Sequence, residues 1–179
     1  MPKVIDKVIE RINSSAFKLF TKKGYNYVTM KMVAQKAGIS VGTLYNYYQN
    51  KQDLFLCVFR QSIDQTYSTL DDIIEKGGNP YELISTLYNE IVRLREMGRV
   101  ILRNKINHEV VSNMKEYLLR LMRSLVYKAE EREGLQISER DKDRTIRLLL
   151  LAMHDFAREF PEDKEGNIAF ICRLADKIE

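Results

Sequence analysis

The chain has 179 residues and a mass of 21.0 kDa, 45% of it hydrophobic and 30% charged, enough to bury one large core or two small ones. Its longest unbroken apolar run, residues 148–153, falls far short of the roughly 20 residues that span a bilayer. The net charge is only +4, but it is unevenly spread: residues 1–60 hold ten Lys/Arg against three Asp/Glu, a net +7, and residues 61–179 hold nineteen against twenty-two, a net −3. A basic front and a slightly acidic remainder point to two parts with different partners, the first of them a polyanion. The first ten residues mix charges into their apolar positions, unlike a signal-peptide core, and two cysteines, Cys57 and Cys172, are too few for a disulfide scaffold. A protein of the reducing cytoplasm is the expectation.

Along the chain, apolar residues recur at spacings of three and four, the period of helices. Ile5, Ile9, Ile12, Ala16, Leu19 and Phe20 form one stripe that stops at Gly24. Thr29 is a natural N-cap for a short helix through Ala37, and Gly38 supplies a left-handed turn position. Ile39 is expected to plug the core, and Ser40 caps a second short helix over residues 41–48. Asn50 with Asp53 reads as a capping pair opening a helix that Gly77 and Gly78 end, and Asn79-Pro80 starts the next. A stripe from Val111 through Leu118 and Leu125 runs to Gly134, Ser138 with Asp141 opens a helix towards residue 160, and Pro161 precedes a last helix carrying Ile168, Ile171 and Ile178. No alternation typical of strands survives beyond short pieces.

Residues 29–51, TMKMVAQKAGISVGTLYNYYQNK, carry the functional signal. A bracing helix, a glycine turn and a second helix with Leu44 and Tyr48 inward leave Val41, Gly42, Thr43, Tyr45 and Tyr47 outward, as a helix-turn-helix needs to present side chains to a major groove. Tyr45 and Tyr47 also fit as core aromatics of a three-helix bundle; Tyr48 is assigned to the core, and Tyr25 and Tyr27 to packing against the first helix.

With its flanks, the segment resembles the DNA-binding domain of the TetR family of transcriptional regulators. The matching residues are Ala16-Phe17-Lys18-Leu19-Phe20, Gly24-Tyr25, Thr29, Val33-Ala34, Ala37-Gly38-Ile39-Ser40, Gly42-Thr43-Leu44-Tyr45, Tyr47-Tyr48, Asn50-Lys51 and Asp53-Leu54. The resemblance implies an all-α protein: a three-helix helix-turn-helix domain over residues 1–50, then a larger helical effector-binding and dimerisation domain over 51–179. It also implies DNA contacts at Thr29, Lys31, Ser40, Val41, Gly42, Thr43, Tyr45, Tyr47 and Lys51. Their chemistry divides them. Thr29, Ser40, Tyr47 and Lys51 suit phosphates, whereas Lys31, Val41, Gly42, Thr43 and Tyr45 are left for base edges. Many relatives open this helix with a basic or amide side chain; Val41-Gly42 offers a thymine-methyl contact and close approach instead, making Lys31 the candidate for guanine O6/N7.

For the second part the resemblance implies a homodimer on a palindromic operator and an unidentified, apolar small-molecule effector. The effector would separate the two recognition helices wrongly for consecutive major grooves, with the helix from Lys51 to residue 75 as lever, so that the protein acts as a repressor. Tyr88, Met97, Met114, Tyr117, Met122, Met153 and Phe156 are soft or aromatic at helical spacing and are the candidates to line the pocket, although such a stripe also suits plain core. Leu148 to Leu151 are apolar around most of a turn, so Leu148 and Leu151, with Ile168, Ile171, Leu174 and Ile178, are the candidates for a dimer face, the alternative being a helix central in the monomer. His108-Glu109 and His154-Asp155 are adjacent pairs about 100° apart on a helix and make no ready chelate, so neither a metal nor another cofactor is expected. No phosphate loop or catalytic triad signature is present, and no enzyme activity is expected. An effector-independent helix-turn-helix protein is the rival reading; a helical module for an acidic protein partner is another.

Overall fold

In the computed structural model the described residues are 2–103, 112, 116, 119, 120, 123, 127, 136 and 138–176, with backbone alone at 2–6, 96, 101–103 and 176. Seven helices are bounded among them: α1 Pro2–Lys23, α2 Met30–Ala37, α3 Val41–Tyr45, α4 Lys51–Glu75, α5 Pro80–Arg103, α6 Glu139–Glu159 and α7 Lys164–Asp176. Residues 112, 116, 119, 120, 123 and 127 are helical as well, and no strand occurs among the described residues.

The helix ends are set by neighbours in sequence. α1 stops where Gly24 (φ 77°) turns left-handed and its N–H bonds the Phe20 carbonyl at 3.0 Å. The Asn50 side chain accepts from the Asp53 N–H at 2.9 Å, and the Asp53 carboxylate accepts in return from the Gln49 N–H at 3.2 Å, one residue earlier than in the usual reciprocal box. Asn79 caps α5 through the Glu82 N–H at 2.9 Å, and Ser138 caps α6 through the Asp141 N–H at 3.2 Å. The Ser138 hydroxyl also donates to the Asp141 carboxylate at 2.7 Å, which, with Arg144 beside it, holds that carboxyl below its ordinary pKa.

The chain divides into two compact units. The division falls inside α4, after Gln65, and the first unit takes in α5 from Leu94 onward. Met97, buried there, therefore belongs to a different unit from Tyr88. The first unit closes around Ile12, Ala16, Leu19 and Phe20 of α1, Val33, Ala34 and Ala37 of α2, Leu44 of α3, and Leu54, Phe55, Val58 and Phe59 of α4. Phe55 is its aromatic hub, edge-on to Phe20 at 5.0 Å and to Tyr25 at 4.9 Å. These ring pairs add to area burial rather than substitute for it.

The second unit holds Leu70 of α4, Leu83, Ile84, Leu87 and Tyr88 of α5, Ile146, Leu149, Met153 and Ala157 of α6, and Ile168 and Ile171 of α7 in one core. The Asn167 amide nitrogen donates to the Tyr88 hydroxyl at 2.8 Å and to the Phe160 carbonyl at 2.8 Å, so the buried polar groups are satisfied in place. Lys142, also buried, lays its ammonium 3.9 Å from the Tyr127 ring centroid and 2.8 Å from the Glu139 carboxylate.

Candidate nucleic-acid interface

The surface presented by residues 29–51 is built from caps. The Thr29 hydroxyl accepts from the Met32 N–H at 3.3 Å and keeps its own hydrogen to donate. At the other end of α2, Gly38 adopts φ 67°, its N–H meets the Gln35 carbonyl at 3.3 Å and the Ile39 N–H meets the Ala34 carbonyl at 3.0 Å. That paired closure needs a left-handed residue, which is why glycine stands there. Ser40 Oγ accepts from the Thr43 N–H at 2.9 Å and lies 2.8 Å from Thr43 Oγ1, so the two hydroxyls share one hydrogen and leave the other to donate outward.

α3 is shorter than its periodicity suggests. It ends at Tyr45, and the Tyr47 and Tyr48 N–H groups both converge on the Leu44 carbonyl at 3.1 Å, a tightened last turn. Leu44 is fully buried, and Tyr48 is buried as expected. Tyr45 is 51% exposed, Lys31, Ser40 and Gly42 are exposed, and Val41, Thr43, Tyr47 and Lys51 are half-buried. Ile39 is half-buried too, short of a full core plug.

Three features lie outside what the sequence suggested. Tyr25 does pack on α1, 6.0 Å from Phe20, but Tyr27 does not: it is 79% exposed, because the turn over residues 24–27 carries it out past α1. Lys51 donates to the Tyr25 carbonyl at 3.0 Å and lies 4.3 Å from the centroid of the Tyr25 ring, so it fastens the start of α4 to that turn; an ammonium has three donors, and two remain. Third, the Tyr48 hydroxyl donates to Asn13 Oδ1 at 2.6 Å in the interior, and Asn13 Nδ2 donates to the exposed Gln61 Oε1 at 2.9 Å, a link between α1, the exit of α3 and α4. Burial raises the Tyr48 phenol above its ordinary pKa, keeping the donor protonated.

Removing one partner of that link costs more than removing both. Tyr48→Phe strands the Asn13 carbonyl oxygen and is expected to cost about 1–3 kcal/mol in urea unfolding. Adding Asn13→Leu should recover most of that loss; a double variant as unstable as the single one would contradict the assignment.

In the second unit Tyr88 and Met153 are core, Phe156 is half-buried against Phe160 and Phe170, and Met114, Tyr117 and Met122 lie outside the described residues. Of the residues considered for a dimer face, Leu148 (49%) and Leu151 (65%) are exposed, whereas Ile168 and Ile171 are spent in the unit's own core. Leu174 is half-buried and Ile178 lies outside the described residues. Phe170, 48% exposed, is apolar surface on α7 that its flanking sequence did not single out. Among the described residues no group of His, Cys, Asp and Glu gathers to hold a metal ion, and no helix is long and apolar enough to cross a membrane.

A short helix braced by a second one, capped at both N-termini and offering small and polar residues outward, defines a helix-turn-helix domain of the DNA-reading kind. Residues 12–58 match the model of the bacterial regulatory proteins, tetR family. The chain is 29% identical over 92 residues to the HTH-type transcriptional repressor KstR of Mycolicibacterium smegmatis, covering 51% of this chain and 45% of that one. Across the first curated relatives it matches, the chain spans less than half of their length. The fold is similar to that of FadR from Bacillus subtilis, solved with stearoyl-CoA (TM-score 0.67, 15% identity, 94% of this chain and 96% of that one). It is similar also to that of FadR from Thermus thermophilus, solved with lauroyl-CoA (TM-score 0.56, 22% identity, 93% and 92%).

Proposed function

We propose that the protein is a non-catalytic transcriptional regulator of the cytoplasm that reads a palindromic duplex operator as a homodimer. The observation that carries this reading is the geometry of residues 29–51: Leu44 and Tyr48 fix α3 from within, while Lys31, Gly42 and Tyr45 face solvent. Thr29, Ser40, Tyr47 and Lys51 position the domain on phosphates, and Lys31, Val41, Gly42, Thr43 and Tyr45 read base edges. Two reading heads require two chains, and the exposed Leu148, Leu151 and Phe170 are apolar surface suited to a second copy.

An apolar effector binding in the helical part that follows the helix-turn-helix releases the operator, which makes the protein a repressor. The stearoyl-CoA and lauroyl-CoA held by the two FadR proteins favour a long-chain acyl thioester as the effector class. Tyr88, Met153 and Phe156, which share one core region, are the described candidates to meet the acyl chain. Operator affinity measured with and without stearoyl-CoA tests this. About a tenfold or greater loss is expected, the size of ordinary allosteric coupling. Equal affinity across acyl chain lengths would favour the effector-independent regulator instead.

A further inference from the structure

Between α1 and α2 runs an open groove of about 830 Å³, lined by Lys18, Lys22 and Lys23 on one wall and Met32, Gln35 and Lys36 on the other. It holds no carboxylate. Past Lys36 it continues into a shallower hollow where Glu10 is the one acid, eight residues or about 12 Å along α1 from Lys18. Among the described residues none of the four lysines is in an ion pair. Helix C-terminal dipoles favour Lys22, Lys23 and Lys36 one by one, but they do not account for Lys18, well inside α1, nor for the like-charge Lys18–Lys22 spacing of four, which repels on a helix face.

The groove's second wall belongs to α2, the helix that also carries Lys31. At 100° per residue, Lys31, Gln35, Met32 and Lys36 occupy one arc of about 140° on α2, opposite the buried Met30, Val33, Ala34 and Ala37. One edge of that solvent face carries Lys31 and the other carries the groove wall. Four lysines and one amide, set around the apolar Leu19 and Met32, suit phosphates, without sequence preference.

We propose that this groove binds the phosphates of duplex DNA flanking the half-site, lengthening the footprint without adding to the sequence read. The proposal rests on the DNA-reading function above. Its occupant is duplex DNA rather than an acidic peptide because the groove's α2 wall lies on the same solvent face of that helix as Lys31.

The test uses the full chain, as wild type and as a Lys18→Gln/Lys22→Gln/Lys36→Gln variant. Each is bound, over a series of salt concentrations, to an operator duplex of minimal length and to one extended by about ten base pairs on each side, one helical turn. Wild type should bind the extended duplex about tenfold more tightly than the minimal one. The variant should lose that gain, and its slope of log affinity against log salt should fall by about 2–3 per protomer, at 0.9 per phosphate. Its preferred sequence should not change, and its melting temperature should stay close to that of wild type, because the relieved Lys18–Lys22 repulsion offsets the helix-dipole attraction lost at Lys22 and Lys36. The matching triple Lys→Arg variant should retain the wild-type slope. A Gln variant with the wild-type slope and length gain would overturn the proposal. So would loss of polyglutamate binding in that variant with DNA binding intact, which would assign the groove to an acidic peptide. Wild type that selects no duplex sequence at all would instead sink the DNA-reading function itself.

Discussion

Phe55→Ala should lower the stability of the helix-turn-helix unit by about 3–5 kcal/mol, the range for emptying a buried aromatic site. Phe55 is fully buried and meets Phe20 and Tyr25 edge-on, with Phe59 stacked at 6.5 Å, so its loss removes contacts from α1, from the turn after it and from α4 at once. Phe20 lies in the last turns of α1, which Gly24 closes, and Tyr25 is held by the Lys51 ammonium, so the hole can collapse only in part, and the cost stays near the upper half of the range. A domain is stable by only about 5–15 kcal/mol, so this loss removes a large share of the margin and operator binding should be lost at a lower temperature than in wild type. Tyr27→Ala is the control, since a side chain 79% exposed should shift stability by no more than about 0.5 kcal/mol. Urea unfolding of both variants decides the matter; a Phe55→Ala midpoint close to wild type would mean that the core is organised elsewhere.

The second large effect concerns sequence preference. Lys31→Ala should cost about 1–3 kcal/mol against the preferred operator and relax selection at one base pair, as expected when a bidentate contact to guanine is lost. Val41→Ala should change the preference at a neighbouring position by less, since one methyl contact is at stake. Lys51→Ala should weaken all sequences alike and reduce the salt slope by about 1, the signature of a phosphate contact. It should also lower the melting temperature, because the same ammonium bonds the Tyr25 carbonyl at 3.0 Å. If Lys51→Ala shifts the preferred sequence more than Val41→Ala does, the division between phosphate and base contacts is wrong.

The helix boundaries were legible in the sequence wherever they depend on residues three or four apart. Thr29, Gly38, Ser40, Asn50, Asn79 and Ser138 each form the cap or turn that their side chain or missing side chain dictates, because both partners of the bond lie in one short segment. The burial of Leu44 and Tyr48 follows from their one-turn spacing. Bonds that join distant segments were not legible. Asn13 and Tyr48 are 35 residues apart, Tyr25 and Lys51 26, and Tyr88 and Asn167 79, and nothing in either local pattern names the other. The outward position of Tyr27 and the stop of α3 at Tyr45 are of the same kind: an aromatic or a helical run looks alike in sequence whether or not the tertiary fold has room for it. Ile168 and Ile171 show the converse limit, since an apolar stripe does not say whether its own chain or a second copy will cover it.

The central claim, that residues 29–51 read duplex DNA by sequence, is tested most directly by selecting bound duplexes from a random pool with the purified protein. One motif should be enriched, in two inverted half-sites whose centres are about one helical turn, or a multiple of it, apart. Retention of duplexes with no enriched sequence, through salt-sensitive binding alone, would contradict it.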